Sequence, residues 1–413
     1  MQFKQYPSYK NSGVEWLGDV PEHWSVIPSK FYFIERKEKA ENTDKQLTAS
    51  QKHGIIFQED FMAENGRVMV VMKNPEILKK VRPNDFVISM RSFQGGLELS
   101  YLEGSISSAY VMLKPNLNVV DIEYFKYLFK TPRYIQSLQS TSNLIRDGQA
   151  LRFNNFSQIK LVLPPKADQE KIVSFLDTET SRIDNLIAKQ EKLIELLEEQ
   201  RKSIISHAVT KGLNPNAPMK DSGVEWLGEV PESWVEQKIK FISKLINEKT
   251  SEKSNVIALE NIESWTGKYI ETESSFESDA VKFKKNDVLF GKLRPYLAKV
   301  YLVENQGEAV GDIYVLRPNK LIHPQFLKFF MLSEKFIDYV NSSTNGTKMP
   351  RANWDFIGCI SIFLPHIKVQ HEIVEYLESA VLKIELIINK QISLIEKLKE
   401  YRSSIISHAD TGK

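Results

Sequence analysis

The most regular pattern in the sequence is a seam of mostly apolar residues, spaced by alternating steps of three and four. In the first half the seam consists of Val173, Leu176, Thr180, Ile183, Ile187, Gln190, Ile194, Leu197, Arg201, Ile204 and Ala208. In the second half the same steps give Val374, Leu377, Val381, Ile384, Ile388, Gln391, Ile395, Leu398, Arg402, Ile405 and Ala409. This spacing is typical of a coiled coil. It predicts two long helices, each of roughly 40 residues and about 60 Å in length.

Each predicted helix carries more than this seam. A second apolar stripe contains Leu186, Leu193 and Ile205 in the first half and Ile387, Leu394 and Ile406 in the second. We therefore expect the helices to pack on each other and to present a further face to the rest of the chain or to another protein. Polar residues also occupy matching seam positions, namely Gln190 with Gln391 and Arg201 with Arg402. They either fix the register of the pair or extend to the surface, and the sequence leaves both interpretations open.

The helices are one part of a tandem duplication. Residues 12–24 and 222–234 are identical at eleven of thirteen positions, including Trp16 with Trp226 and Trp24 with Trp234. The predicted helices also end alike, in Ser-Ile-Ile-Ser-His-Ala. A repeat of this kind fixes the architecture, so we expect two equivalent halves of about 200 residues.

Between the tryptophan motif and the helix, the halves share their order of elements but not their residues. The segments 84–88 and 286–290 both predict a turn that enters a buried strand. A Leu-Pro sequence at 163–164 and 364–365 ends the last strand and precedes the helix. The intervening loops have diverged, which is the pattern expected of two readers of different targets on one frame.

Composition narrows the class of protein. The chain has 413 residues, of which 42% are hydrophobic and 26% charged, as is usual for a globular protein of two or three domains. It has no apolar window long enough to span a membrane, and residues 1–7 lack a signal-peptide core. Cys359 is its single cysteine, which excludes an internal disulfide and a cysteine-based zinc cluster and favours a cytoplasmic location. The net charge of +2 neither supports nor excludes DNA binding.

The order of these parts resembles the specificity subunits of type I restriction-modification systems. The resemblance covers both halves and rests on the tryptophan motifs, the Gln169-Glu170-Lys171-Ile172-Val173 and Gln370-His371-Glu372-Ile373-Val374 helix starts, and the shared helix ends. Both helix starts depart from the usual Glu-Gln order of the family.

The resemblance implies an α+β fold in which a mixed α/β target-recognition domain and a long helix occur twice, with the two helices paired as an antiparallel coiled coil. The predicted segments are target-recognition domain 1 (1–165), helical spacer 1 (166–208), a linker (209–220), target-recognition domain 2 (221–365) and helical spacer 2 (366–413). Each domain should read one half of a bipartite site in double-stranded DNA, and the helices should set the gap between the halves.

The resemblance also implies partners. Two methyltransferase subunits should dock on the helices, and restriction (translocase-nuclease) subunits should complete the complex. We expect no cofactor on this chain, because S-adenosylmethionine, ATP and magnesium belong to the partner subunits. No membrane partner is expected.

Two loops in each half are the candidate DNA-binding elements. Glycines let a backbone approach DNA closely, and the side chains of arginine, lysine, asparagine and glutamine suit base edges and phosphates. The candidates are Arg91, Gln94, Gly95, Asn143, Arg146, Gln149 and Arg152 in the first half and Lys292, Arg294, Asn345, Thr347, Lys348 and Arg351 in the second. Each is also consistent with an ordinary solvated turn. The four motif tryptophans favour packing over base stacking, because residues shared by both halves cannot distinguish two targets.

No enzyme motif accompanies these features. The sequence has no Gly-x-x-x-x-Gly-Lys-Ser/Thr phosphate loop and no Gly-x-Ser-x-Gly nucleophile elbow. Asn74-Pro75-Glu76 lacks the second proline and the aromatic residue of an adenine methyltransferase. We expect no catalytic residue and no metal ligand. A coiled-coil scaffold that ignores DNA is the alternative, but it leaves the two large diverged domains unexplained.

Overall fold

The chain folds into two compact units. The computed structural model describes residues 6–65, 77–90, 92–141, 151–252, 254–272, 279–344, 348–409 and 411–412. One unit comprises Met1–Ala188 and Leu394–Lys413, and the other comprises Lys189–Ser393. Each unit therefore contains one mixed α/β domain and a part of both long helices. The domain boundaries given above follow the sequence repeat rather than these units, and they stay a prediction.

The first half contains short strands, short helices and one long helix. Its strands are β1 (Tyr9–Asn11), β2 (Asp19–Pro21), β3 (Ser25–Pro28), β4 (Phe33–Arg36), β5 (Leu47–Ser50), β6 (Gly54–Phe57), β7 (Lys79–Val81), β8 (Phe86–Ile88), β9 (Glu98–Leu99), β10 (Gly104–Ile106), β11 (Val111–Pro115) and β12 (Lys160–Leu163). Its helices are α1 (Gln58–Asn65), α2 (Ser92–Gly95), α3 (Ile122–Leu128), α4 (Pro132–Ser140), α5 (Phe153–Ser157) and α6 (Lys166–Lys211).

The second half follows the same plan. Its strands are β13 (Met219–Asp221), β14 (Glu229–Pro231), β15 (Val235–Lys238), β16 (Ser243–Ile246), β17 (Lys249–Thr250), β18 (Val256–Ile257), β19 (Ala280–Phe283), β20 (Val288–Gly291), β21 (Val300–Leu302), β22 (Gly307–Val310), β23 (Ile313–Pro318) and β24 (Ser361–Leu364). Its helices are α7 (Ile239–Ile242), α8 (Pro324–Leu332), α9 (Glu334–Ser342), α10 (Trp354–Ile357) and α11 (Ile367–Ala409).

The central sheet is the same in both halves. Its strand order is β4-β11-β8-β9 in the first half and β16-β23-β20-β21 in the second, and all of these pairs are antiparallel. The second sheet differs. Strands β17, β19, β22 and β18 form a four-stranded sheet, whereas the first half has the separate pairs β5-β6 and β10-β7. The duplication thus retains one sheet and alters the other.

The turn that enters the central sheet confirms the sequence prediction. Asn84 and Asn286 have left-handed backbones, with φ of 75° and 71°, and each precedes a buried aspartate. Asp85 accepts hydrogen bonds from Arg36 Nε and Nη2 at 2.6 and 2.9 Å. Asp287 accepts from Nε and Nη2 of Arg317 at 2.8 and 2.7 Å. Forked pairs of this kind fix geometry more strongly than single hydrogen bonds.

A buried glutamine fixes the start of each long helix. Gln169 Nε2 donates to the carbonyl oxygens of Val119 and Pro164 at 2.9 and 2.8 Å, and its Oε1 accepts from the backbone nitrogen of Asp121 at 2.8 Å. Gln370 makes the equivalent three bonds to Leu321, Pro365 and His323 at 3.0, 3.0 and 2.8 Å. Because both side chains are fully buried, these bonds hold the helix start against the adjacent loop.

The two long helices pair as predicted, and they are antiparallel within each unit. In the second unit Leu197 of α6 packs with Ile384 and Ile388 of α11. In the first unit Leu176 shares a core with Ile406 and Ala409. The seam residues are buried or half-buried, but part of the second stripe is not, since Leu193, Ile387 and Leu394 are 38–41% exposed. Each helix therefore carries an apolar stripe that the pairing does not cover.

Candidate nucleic-acid interface

In the second half, the two predicted loops meet. The chain leaves β20 at Gly291, and Leu293 forms an antiparallel bridge with Arg351. On either side of this bridge, Arg294 N donates to the carbonyl oxygen of Pro350 and Ala352 N donates to that of Lys292, both at 2.8 Å. Two segments some 60 residues apart in the chain thus form a short ladder at the end of the central sheet.

A carboxylate that the sequence analysis did not select lies between these loops. Asp312, in the turn between β22 and β23, lies 2.9 Å from Arg351 Nη2 and 3.7 Å from Lys292 Nζ. Its backbone oxygen also accepts a hydrogen bond from Lys292 N at 2.9 Å. The Asp312 side chain is 21% exposed and that of Arg351 is 61% exposed, so the pair lies at the surface. Pairs with this exposure contribute at most about 1 kcal/mol to stability, so the fold does not depend on this contact.

Tyr314, in β23, stabilises the loops through hydrogen bonds. Its hydroxyl donates to the carbonyl oxygen of Ala352 at 3.1 Å and accepts from Trp354 N at 3.2 Å. Burial raises the pKa of Tyr314, so the hydroxyl keeps its proton and its donor role at neutral pH. Lys292 Nζ lies 5.3 Å from the centre of the Tyr314 ring. This cation–π contact limits the directions in which the lysine extends.

The other described candidates of this half are exposed. Arg294 has a left-handed backbone with φ of 51° and is followed by the turn Pro295–Leu297. A side chain in this conformation costs roughly 1 kcal/mol, which the bond to Pro350 and the turn offset. Lys348 is exposed beside Met349. Asn345 and Thr347 lie outside the described residues.

In the first half, fewer of the predicted DNA-binding residues lie among the described residues. Gln94 is exposed near the end of the short helix α2, and Gly95 is packed so closely that a Cβ there would lie 2.6 Å from Gln51 Nε2. Arg152 is exposed, and its backbone nitrogen donates to Asn155 Oδ1 at 3.0 Å at the start of α5. Arg91, Asn143, Arg146 and Gln149 lie outside the described residues.

Helix α4 connects the described parts of these two loops. It packs against α2, and the carbonyl oxygen of Thr141, the residue that follows α4, accepts a hydrogen bond from Asn155 Nδ2 at 2.9 Å. Gln94 and Arg152 therefore flank one short helix. Direct contact of the kind that joins Leu293 to Arg351 is not seen between the described residues of the two loops.

The motif tryptophans belong to the packing of each half. Trp24 is fully buried and Trp234 is 4% exposed. Trp16 lies edge-on to Tyr134 at 6.0 Å, and Trp226 stacks on Tyr339 at 5.0 Å. The packing interpretation is confirmed, and it removes these residues from the candidate interface.

Asp312 is the residue that the sequence analysis missed. When the two halves are aligned on the Leu-x-Pro-Asn sequence that β11 and β23 share, Ala109 occupies the position of Asp312 in the first half. The available signal was that the second half has an acidic residue, next to Gly311 at the start of a strand, where the first half has an alanine. It was weak, because nothing in the sequence shows that the segments 291–294 and 348–352 converge on this turn.

The described parts of the chain contain no cluster of three or more His, Cys, Asp or Glu side chains placed to hold a metal ion. None of the helices there has the length and apolar content needed to cross a membrane.

Comparison with known proteins covers both halves. A family model described as the type I restriction modification DNA specificity domain matches residues 78–198 and 231–397. The type I restriction enzyme MjaVIII specificity subunit of Methanocaldococcus jannaschii is 27% identical over 420 residues, which cover 95% of this chain and 93% of that protein. The type I restriction enzyme EcoDI specificity subunit of Escherichia coli is 24% identical over 286 residues, 64% of each chain. The chain therefore spans less than two thirds of the E. coli protein in this match.

Solved structures share the fold. A chain from work on complex assembly and conformational transition of the type I R-M system has a TM-score of 0.70 at 13% identity, and 95% of this chain and 99% of that one are covered. The HsdS subunit from Thermoanaerobacter tengcongensis has a TM-score of 0.56 at 14% identity, with 95% and 98% covered. At these identities the likeness shows a common fold.

Proposed function

Because the chain belongs to the family of type I restriction-modification DNA specificity proteins, we propose that it is the sequence-specificity subunit of such a complex and that each mixed domain reads one half of a bipartite DNA target. The observation that carries the proposal is that the segments with Lys292, Arg294 and Arg351 meet at the end of the central sheet, where Arg294 and Arg351 are exposed and Lys292 is half-buried. Arginine and lysine are the residues that contact guanine edges and phosphates.

The long helices have a separate role in the proposal. They space the two reading domains, and their uncovered stripe at Leu193, Ile387 and Leu394 provides apolar area for two methyltransferase subunits. Restriction subunits join this assembly. We assign no catalytic step to the chain itself. S-adenosylmethionine, ATP and magnesium are assigned to the partner subunits.

The test of the specificity role is methylation mapping. The chain is expressed with its candidate methyltransferase in cells that lack both, and modified adenines are located across the genome. We expect a split motif that disappears when this chain is omitted. Methylation that persists unchanged without the chain would contradict the proposal and favour a scaffold role.

The test of the spacer role changes the length of the helices. Lengthening both helices by whole turns should alter the gap in the split motif and leave both half-sites intact, because each added residue extends a helix by about 1.5 Å. A matched control replaces exposed residues of the same helices without changing their length. A motif whose gap is unchanged in the lengthened chain would show that the helices do not set the spacing.

A further inference from the structure

We propose that Asp312 is a specificity-determining residue of the second domain. It positions Arg351, and its negative charge weakens the phosphate binding that the cations of the loop surface would otherwise provide. This inference deepens the proposed function and rests on it. Asp312 is a positioning residue here, since it acts through Arg351 and Lys292.

Asp312 joins three chain segments, because it bonds to Arg351 Nη2 at 2.9 Å, lies 3.7 Å from Lys292 Nζ, and accepts a backbone hydrogen bond from Lys292 N. A guanidinium has five N–H donors in a fixed plane. One bond to Asp312 fixes the direction of that plane and leaves other donors of Arg351 for a base edge.

Asp312 also changes the electrostatics of the loop surface. Lys292, Arg294, Lys348 and Arg351 would together form a strongly cationic surface that binds any DNA through its phosphates. The Asp312 carboxylate lowers the local positive charge and repels phosphate oxygens that approach Arg351. Base edges, which carry no net charge, are penalised less. Asp312 should therefore weaken sequence-independent binding more than it weakens recognition of the correct half-site.

The two halves differ at this position. Ala109 occupies the position of Asp312 in the first domain, so the carboxylate is not required by the shared fold. The turn before β23 can hold a small neutral residue without loss of the central sheet, since β11 and β23 pair with their neighbours in the same order. An aspartate at this position is thus better explained by what it does to the loops than by the packing of the domain.

The experiment measures DNA binding by the full chain assembled with its methyltransferase subunits. Three duplexes are used: the intact target found by methylation mapping, one with the first half-site scrambled, and one with the second half-site scrambled. Wild type is compared with D312N, which keeps the side-chain shape and removes the charge. D312E keeps the charge, and D279N removes one charge from an exposed acid that pairs with Lys249 instead.

For D312N we expect discrimination at the second half-site to fall roughly tenfold. Binding to the duplex scrambled at that half-site should become tighter, and its dependence on salt should steepen by up to about one unit of slope. Discrimination at the first half-site should not change. D312E should restore the salt dependence, and D279N should behave as wild type at both half-sites.

Three outcomes would overturn the role of Asp312. These are unchanged discrimination in D312N, an equal loss at both half-sites, and a proportional loss of binding to all three duplexes. A wild-type complex that binds the three duplexes equally would instead contradict the proposed function itself, so the two failures are distinguishable.

Discussion

Asp85 and Asp287 occupy the same buried position in the two halves, but arginines on different strands pair with them. Arg36 reaches Asp85 from β4, whereas Arg317 reaches Asp287 from β23. The position equivalent to Arg36 in the second half is Ile246, which is buried. The interaction has been kept while its donor has moved, which indicates that the central sheet requires a cation beside this aspartate.

The loops that carry the candidate DNA-binding residues differ between the halves in another way. Asp312 joins two loops in the second half, and Ala109 occupies its position in the first. A buried aspartate–arginine pair therefore holds the central sheet in both halves, while the carboxylate that joins the loops of the second half has no acidic counterpart at the matching position of the first. This difference is what two targets read from one frame would require.

The largest effect we expect comes from breaking the aspartate–arginine pairs of the central sheet. Asp287→Ala should destabilise the chain by about 3 kcal/mol, because Arg317 then loses its partner in a half-buried site. Asp85→Ala should cost a similar amount through Arg36. Urea denaturation of each variant measures the loss. In a double mutant of Asp287 and Arg317, additive losses would show that the two side chains are not coupled and would weaken the comparison.

A smaller loss is expected at the helix starts. Gln169→Ala and Gln370→Ala should each destabilise the chain by roughly 1–3 kcal/mol, because three backbone groups lose their buried partner. Glu170→Ala, at the exposed neighbouring position, is the matched control and should change stability by less than about 0.5 kcal/mol. Clearly unequal losses for the two glutamines would contradict the equivalence of the two helix starts.

The next effect depends on pH and is confined to the second half. Burial, and then the neighbouring His371, lower the pKa of His323, whose backbone nitrogen bonds to Gln370 where Asp121 bonds to Gln169 in the first half. A histidine with a lowered pKa stabilises the fold above its unfolded pKa near 6.5, and that stability is lost as pH falls through the lower folded value. We therefore expect the melting temperature of wild type to fall more steeply below about pH 6.5 than that of His323→Gln. Parallel curves would show that His323 does not contribute.

The smallest effects should have opposite signs. The Arg402 side chain is 37% exposed and bonds to Asp184 at 2.9 Å, whereas Arg201 is 6% exposed and its Nε has no hydrogen-bond partner in the described part of the chain. Arg402→Met should cost at most about 1 kcal/mol. Arg201→Met should be neutral or slightly stabilising, because it removes an unsatisfied buried donor. Thermal melts of both variants test this, and a clear loss in Arg201→Met would show that the buried arginine is needed.

The sequence was most informative where the two halves repeat. The tryptophan motifs, the turns at Asn84 and Asn286 and the helix seam predicted the frame, because local patterns determine each of these features. The different fates of Arg201 and Arg402 could not be predicted, since the seam residues are the same type. Glu385, the counterpart of Asp184, bonds to Lys268 at 2.8 Å, and this contact comes from a diverged loop. Asp312 escaped prediction for the same reason, because its role depends on contacts between segments distant in the chain.

The most direct test of the account is methylation mapping of paired loop variants. One variant replaces Lys292 and Arg351, and the other replaces Gln94 and Arg152, with alanine in each case. We predict that the first relaxes one half of the split motif and the second relaxes only the other half, with the gap unchanged in both. Variants that relax both halves together, or that leave both half-sites as in wild type, would contradict the claim that each domain reads its own half-site.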